Sequence, residues 1–251
     1  LDRDRGGGHH NGQSKTYTYN VHTLSNGNIL FGSTADSYLE YDLSDLSSPQ
    51  LIREVDISMN ESNGWIGSPS VTSSNDDITF LTNQNLIQFD SSGNEVWESS
   101  LNLTSPENLI HTTDGGFLAF GLNTSRSSDP FVRKINAIGS VEWEEYYQHL
   151  FAEIYEGSTS SDKPMSATET SNGDFVIAGI DDGETIYAIK IDSSGSFIWQ
   201  KTYFTNGSNI SSKFGNIKSV FELNPNEYIL FGDNNWWDNS TKKIFSIILK
   251  D

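Results

Sequence analysis

The side chains able to do chemistry are few, and their spacing decides what they could do. The 251-residue chain has no cysteine, which removes disulfides, thiolate metal sites and a cysteine nucleophile. Five polar residues, His22, Thr72, His111, Glu169 and Glu222, stand at one common offset before the end of five short apolar runs. Imidazole and carboxylate are ordinary metal ligands, so His22, His111, Glu169 and Glu222 are the candidate metal set if those runs converge on one axis. The competing expectation is a polar repeat position that bonds from one repeat to the next. Glu169 and Glu222 are also the carboxylate pair that a glycosidase would need across its scissile bond. No Gly-x-Ser-x-Gly, His-Glu-x-x-His or phosphate-cradling glycine loop occurs. The expectation is therefore a protein that is not an enzyme and has no cofactor. Calcium is the one ion with oxygen donors to hand, in Asp181-Asp182-Gly183-Glu184 and in the stretch from Asp233 to Asp238. Neither has the spacing of an EF-hand.

Binding chemistry is better represented. Trp236 and Trp237 are adjacent, flanked by Asp233 and Asp238 in a run of Asn and Asp. Paired indoles suit stacking on a sugar ring or anchoring a protein partner; the alternative is that one caps a core and the other covers a channel mouth. Trp65 follows a second polar stretch, and Gln148–Tyr155 carries His149, Phe151 and Tyr155 on what reads as a short helix. These eight residues form the candidate binding set.

The elements that must position them come from an internal repeat. Asp90-Ser91-Ser92-Gly93 leads to Trp97, Asn136-Ala137-Ile138-Gly139 to Trp143, and Asp192-Ser193-Ser194-Gly195 to Trp199. The acid or amide opens a tight turn, the glycine takes a positive φ, and the tryptophan lies on the returning strand, predicted to be core. A second signature is a turn followed by an apolar strand that ends in glycine, as in Asp114-Gly115-Gly116 before Phe117–Gly121 and Asn172-Gly173-Asp174 before Phe175–Gly179. Together they predict five units near 19–57, 65–104, 107–148, 164–204 and 216–251, each a strand a, tight turn, strand b, loop, strand c, tight turn and strand d. That is an all-β five-bladed propeller of four-stranded antiparallel blades. The fifth unit stops at strand c, so the expected donor of its last strand, closing the ring, is the N-terminal segment around Lys15 to Tyr19. Residues 1–12 read as a disordered lead-in to a single domain over 13–251.

Thr113-Asp114-Gly115-Gly116-Phe117 with Gly121, then Lys134-Ile135 and Gly139 to Trp143, resembles the repeats of secreted bacterial propellers found on surface proteins and lipoproteins of Bacteroidetes-like bacteria. The resemblance implies an extracellular or outer-membrane-surface location and leaves room for a lipid anchor upstream of Leu1. Propellers host many activities, so it does not imply a ligand.

Charge narrows the partners. A formal net charge of −19 repels nucleic-acid phosphates and anionic lipid, and no apolar run is long enough to insert in a membrane as a helix. The turns a–b and c–d are short, whereas the b–c and d–a connections vary and open on one face. That face is expected to hold a protein partner, with a glycan as the alternative ligand and a glycosidase as a more distant one. A lectin would repeat similar pockets between blades, but these connections differ from blade to blade.

Overall fold

Tight turns set the architecture of the chain. The protein is described here by a computed structural model, which covers residues 21–32, 37–56, 69–82, 85–101, 105–123, 129–147, 162–181, 185–204, 216–233 and 244–251. In the c–d turns the amides of Gly93, Gly139 and Gly195 donate to the carbonyls of Asp90, Asn136 and Asp192 at 2.9, 3.0 and 3.0 Å. The side chain of the same Asp or Asn accepts two more amides, those of Ser92 and Asn94, of Ile138 and Ser140, and of Ser194 and Ser196. A short side-chain acceptor is needed here, because only such a group reaches both amides. The glycines sit at φ near +85°, where a Cβ is penalised.

These turns join nineteen strands among the described residues. Blade one holds β1 (Val21–Thr23), β2 (Ile29–Gly32), β3 (Ser37–Asp42) and β4 (Gln50–Asp56). Blade two holds β5 (Ser70–Thr72), β6 (Ile78–Leu81), β7 (Asn85–Phe89) and β8 (Glu95–Ser100). Blade three holds β9 (Ser105–His111), β10 (Phe117–Asn123), β11 (Asp129–Ile135) and β12 (Val141–Tyr146). Blade four holds β13 (Asp162–Glu169), β14 (Phe175–Asp181), β15 (Thr185–Ile191) and β16 (Phe197–Phe204). Blade five holds β17 (Asn216–Asn224), β18 (Glu227–Asp233) and β19 (Ile244–Lys250). Each sheet is an antiparallel meander in chain order, so the fold is a five-bladed β-propeller. Four blades are four-stranded, and three strands of the fifth are described. The N-terminal segment expected to supply its last strand lies outside the described residues, as does the lead-in.

Alternation along strand b sends successive side chains to opposite faces, and blades two, three and four are buried on both. Leu30 and Tyr38 of blade one meet Ile78, Phe80 and Phe89 of blade two. Leu81 and Leu86 meet Phe117 and Phe131 of blade three. Leu118, Phe120 and Val132 meet Phe175, Ile177 and Tyr187 of blade four. Val176, Ala178 and Ile186 meet Tyr228, Leu230 and Leu249 of blade five. The cores therefore lie between blades rather than within them.

The repeated tryptophans are seam residues. Trp97 and Trp143 are half-buried, and each lies over the c–d turn of the next blade, against Gly139 and Gly195, where a Cβ would come within 2.8 and 2.9 Å of the indole. Trp143 Nε1 also donates to the carbonyl of Ser193 at 3.0 Å. Trp199 stacks on Tyr228 with ring centroids 6.1 Å apart, and its buried Nε1 has no acceptor among the described residues. The expectation that all three are core holds only for one side of each ring.

Candidate functional site

At the polar level the two carboxylates, Glu169 and Glu222, fasten one blade to another. Glu169 accepts hydrogen bonds from the amide of Thr113 at 2.6 Å and from its hydroxyl at 2.7 Å. Glu222 accepts from the amide of Ser171 at 2.6 Å. In both cases a carboxylate of one blade holds the a–b turn of the blade before it. Asp76 does the same for blade one, accepting from the amide and the hydroxyl of Ser25 at 2.7 Å each. Asp76 stands at φ 64° where Gly115 and Gly173 stand in their own turns, a backbone conformation that Asp tolerates better than most residues. His111 packs edge-on against Phe117 of its own blade, centroids 5.6 Å apart.

His22 does not belong to this level. Thr72, His111, Glu169 and Glu222 pair with Ile78, Phe117, Phe175 and Tyr228, the first apolar residues of their b strands, but the residue paired with Ile29 is Thr23. Strand b of blade one reaches its glycine one residue sooner than the others, so the common offset lands one position early. A one-residue slip in a strand reverses the face. His22 accordingly points into the seam, sharing a 3.0 Å hydrogen bond with Ser70 Oγ of blade two. Among the described residues no three His, Asp or Glu side chains come together in a metal-holding group. The four metal candidates are thus spread over separate seams, and Glu169 and Glu222 face turn amides instead of one another.

Burial keeps the His22 imidazole neutral, its pKa lowered to about 4 from 6.5. The unfolded chain therefore takes up this proton first as pH falls. The stability contributed by the neutral ring is complete above about pH 6.5, declines toward pH 4 and levels off below it, a loss of up to about 3 kcal/mol. His22→Gln is expected to flatten the melting-temperature profile across that interval, and an unchanged slope would contradict it.

A second polar row was not anticipated from the spacing. Glu40, Gln88, Lys134 and Lys190 are buried at one position of strand c. Glu40 accepts from Asn26, Asn28 and Arg53. Lys134 Nζ lies 2.7 Å from Asp114 and 3.2 Å from Glu142. Lys190 Nζ lies 2.8 Å from Asp251 of blade five and 3.4 Å from Asp174. Burial alone would raise the Asp114 carboxyl, but hydrogen bonds from Lys134, Thr112 and Gly116 outweigh it and bring the pKa to about 2. Burial likewise opposes charge on Lys190, yet Asp251 and Tyr228 raise its pKa. The Lys134-Ile135 and Lys190-Ile191 pairs were the available signal, because a lysine breaking an apolar strand has to find acids inside the fold. These charges neutralise one another in place and offer nothing to a substrate.

The b–c and d–a connections emerge together on one rim of the blades. Asp233 ends β18 on that rim, with Oδ2 3.6 Å from Lys218 Nζ. Its Oδ1 is buried and has no donor among the described residues. Trp65, His149, Phe151, Tyr155, Trp236, Trp237 and Asp238 lie outside the described residues, as do Asp182, Gly183 and Glu184 of the first calcium candidate.

No family model and no curated protein matches the chain. Solved structures do. A protein of unknown function from Bacteroides caccae is similar at 12% identity and a TM-score of 0.51, over 84% of this chain and 68% of that one. The WD40 domain of Neurospora crassa Pan2 is similar at 12% identity and a TM-score of 0.56, over 92% of this chain and 62% of that one. A protein of unknown function from Dyadobacter fermentans gives 10% and 0.56, over 92% and 75%. This chain thus spans less than two thirds of the Pan2 chain. At such identities the likeness is one of fold, and the class it defines is the β-propeller. No helix among the described residues is long and apolar enough to cross a membrane.

Proposed function

We propose that the protein is a non-catalytic binding propeller of a bacterial cell surface or extracellular space, holding a protein partner on the rim of b–c and d–a connections. The observation that carries this reading is where the acids go. Glu169 and Glu222, the pair on which a glycosidase reading depended, are instead engaged in fastening neighbouring blades. On the rim, the d–a connections run from 101–104 between blades two and three to 147–161 between three and four. Unequal connections build one asymmetric surface, as recognition of a single partner requires. Likeness to propeller chains from two bacteria agrees with a bacterial source, and a lipid anchor upstream of Leu1 would place the module at the outer membrane. Trp236 and Trp237 are the anchors, Asp233 and Asp238 their polar flank, and Trp65, His149, Phe151 and Tyr155 the remaining contact set.

The test compares recovery of partner from a native-host extract by the wild type and by Trp236→Ala and Trp237→Ala, beside a glycan array. Truncating an interface anchor costs about 2 kcal/mol or more, so each variant is expected to lose binding by at least about tenfold with the array blank. Undiminished recovery by both variants would reject the assigned rim, and a positive array would replace the protein partner by a glycan.

A further inference from the structure

The outer edges of the blades are not alike. In each four-stranded blade strand d is last in its sheet, with one edge hydrogen-bonded to strand c and the other at the circumference of the propeller. A free strand edge invites another chain to pair with it, and proteins blunt such edges with charge. β4 carries Arg53, Glu54 and Asp56, β8 carries Glu95 and Glu98, and β12 carries Glu142, Glu144 and Glu145. β16 carries no acid and a single lysine, Lys201, although at eight residues it is the longest of the four. No carboxylate occurs anywhere between Asp192 and Glu222, in a chain where 34 of 251 residues are acidic.

This edge is also apolar and regular. Phe197 is 46% and Ile198 45% exposed, at the bulge where the strand begins. From Trp199 to Phe204 the register with β15 is unbroken, which gives about 20 Å of straight edge. Every second residue of that stretch turns its N–H and C=O away from β15. Trp199, Lys201 and Tyr203 share one face, and the two aromatic side chains pack against the core between blades four and five. Lys201 Nζ lies 4.8 Å from the centroid of the Trp199 ring, and no acid among the described residues pairs with it.

We propose that β16 is a docking edge for an extended segment of a partner protein, which adds to blade four as a further strand. The row it extends sets its chemistry. An apolar side chain stands beside Trp199, an Asp or Glu beside Lys201 and an apolar side chain beside Tyr203, with one residue between each, since cross-strand neighbours of this kind stabilise a sheet. A second copy of β16 is the wrong mate. Antiparallel pairing centred on this row sets Lys201 opposite Lys201, and like charges directly opposite destabilise. The acids of β8 and β12 repel the same segment, which confines it to blade four. The edge belongs to the circumference, so the site stands whether or not the rim of connections holds a partner.

Fluorescence anisotropy with a labelled Thr-Val-Thr-Glu-Thr-Val-Thr peptide and the whole 251-residue protein tests this. The peptide is expected to bind saturably, and a version with Lys in place of its Glu to bind at least about threefold more weakly. Lys201→Glu, with the fold checked by circular dichroism, is expected to invert that preference. A peptide with Pro in place of the third Thr loses an N–H needed by the ladder and should not bind. That control leaves the protein untouched. The proposal is overturned if the Glu peptide shows no saturable binding, or if the two charge variants bind the wild type equally. It is also overturned if Lys201→Glu keeps the wild-type preference, or if the Pro peptide binds as well as its parent.

Discussion

Alanine at Gly179 is expected to cost about 3 kcal/mol or more. A Cβ there would lie 2.2 Å from the carbonyl oxygen of Lys163 and 2.5 Å from the hydroxyl of Tyr187. The first obstacle is backbone, on a strand whose register shifts between Pro164 and Ser166 opposite this glycine. The second is a buried ring in the seam between blades three and four. β14 is hydrogen-bonded on both sides, so neither neighbour can retreat, and overpacking of this kind costs upward of 1–3 kcal/mol. Gly173→Ala provides the control. Nothing lies within 4 Å of its added carbon, but its φ is +86°, so only the conformational penalty of about 1 kcal/mol applies. Urea titration should place the Gly179→Ala midpoint well below that of Gly173→Ala, by about 1 M for a typical dependence on denaturant. Equal midpoints would mean that the strand is free to move.

Phe175→Ala should destabilise by about 3–5 kcal/mol, as truncations of buried phenylalanine do. Phe175 is 2% exposed, at the first position of its b strand, among Leu118, Phe120, Val132 and Tyr187. Its ring lies 6.4 Å from that of Trp143, which reaches across from blade three. The cavity would open in the middle of a seam, where rigid sheets on both sides cannot collapse into it. Such a loss is a large share of the 5–15 kcal/mol that holds a typical domain together. Trp143→Ala should cost less, because the indole is half-buried. The double variant should fall short of the sum, since each single change already loosens the same seam. Additive losses would show that the two rings do not support each other.

The turns were legible because their chemistry is local. An Asp or Asn that must accept its own neighbours' amides, and a glycine that must take positive φ, are demands met within five residues, so Asp90–Gly93, Asn136–Gly139 and Asp192–Gly195 announce themselves. Repetition of those turns carried the five-bladed fold. The glycine that ends strand b was legible as a repeat mark but not as a necessity; only the approach of the Lys163 carbonyl explains Gly179. The candidate site was less legible. Counting from the glycine placed His22 with Glu169 and Glu222, and one missing residue in blade one put it on the opposite face. The same count identified a polar level correctly but could not tell a metal shell from a fastening, because that depends on which blade the carboxylate meets.

By itself, then, the order of residues determined the class of fold, its tight turns and the alternation of faces along each strand, since all of these are settled between near neighbours in the chain. What Glu169, Glu222, Lys134 and Lys190 do was decided only in the tertiary structure. Their partners are Thr113, Ser171, Asp114 with Glu142, and Asp251 with Asp174. Most of these lie on other strands or other blades, so a side chain that looks available for chemistry in the sequence is engaged by a contact no short-range pattern encodes.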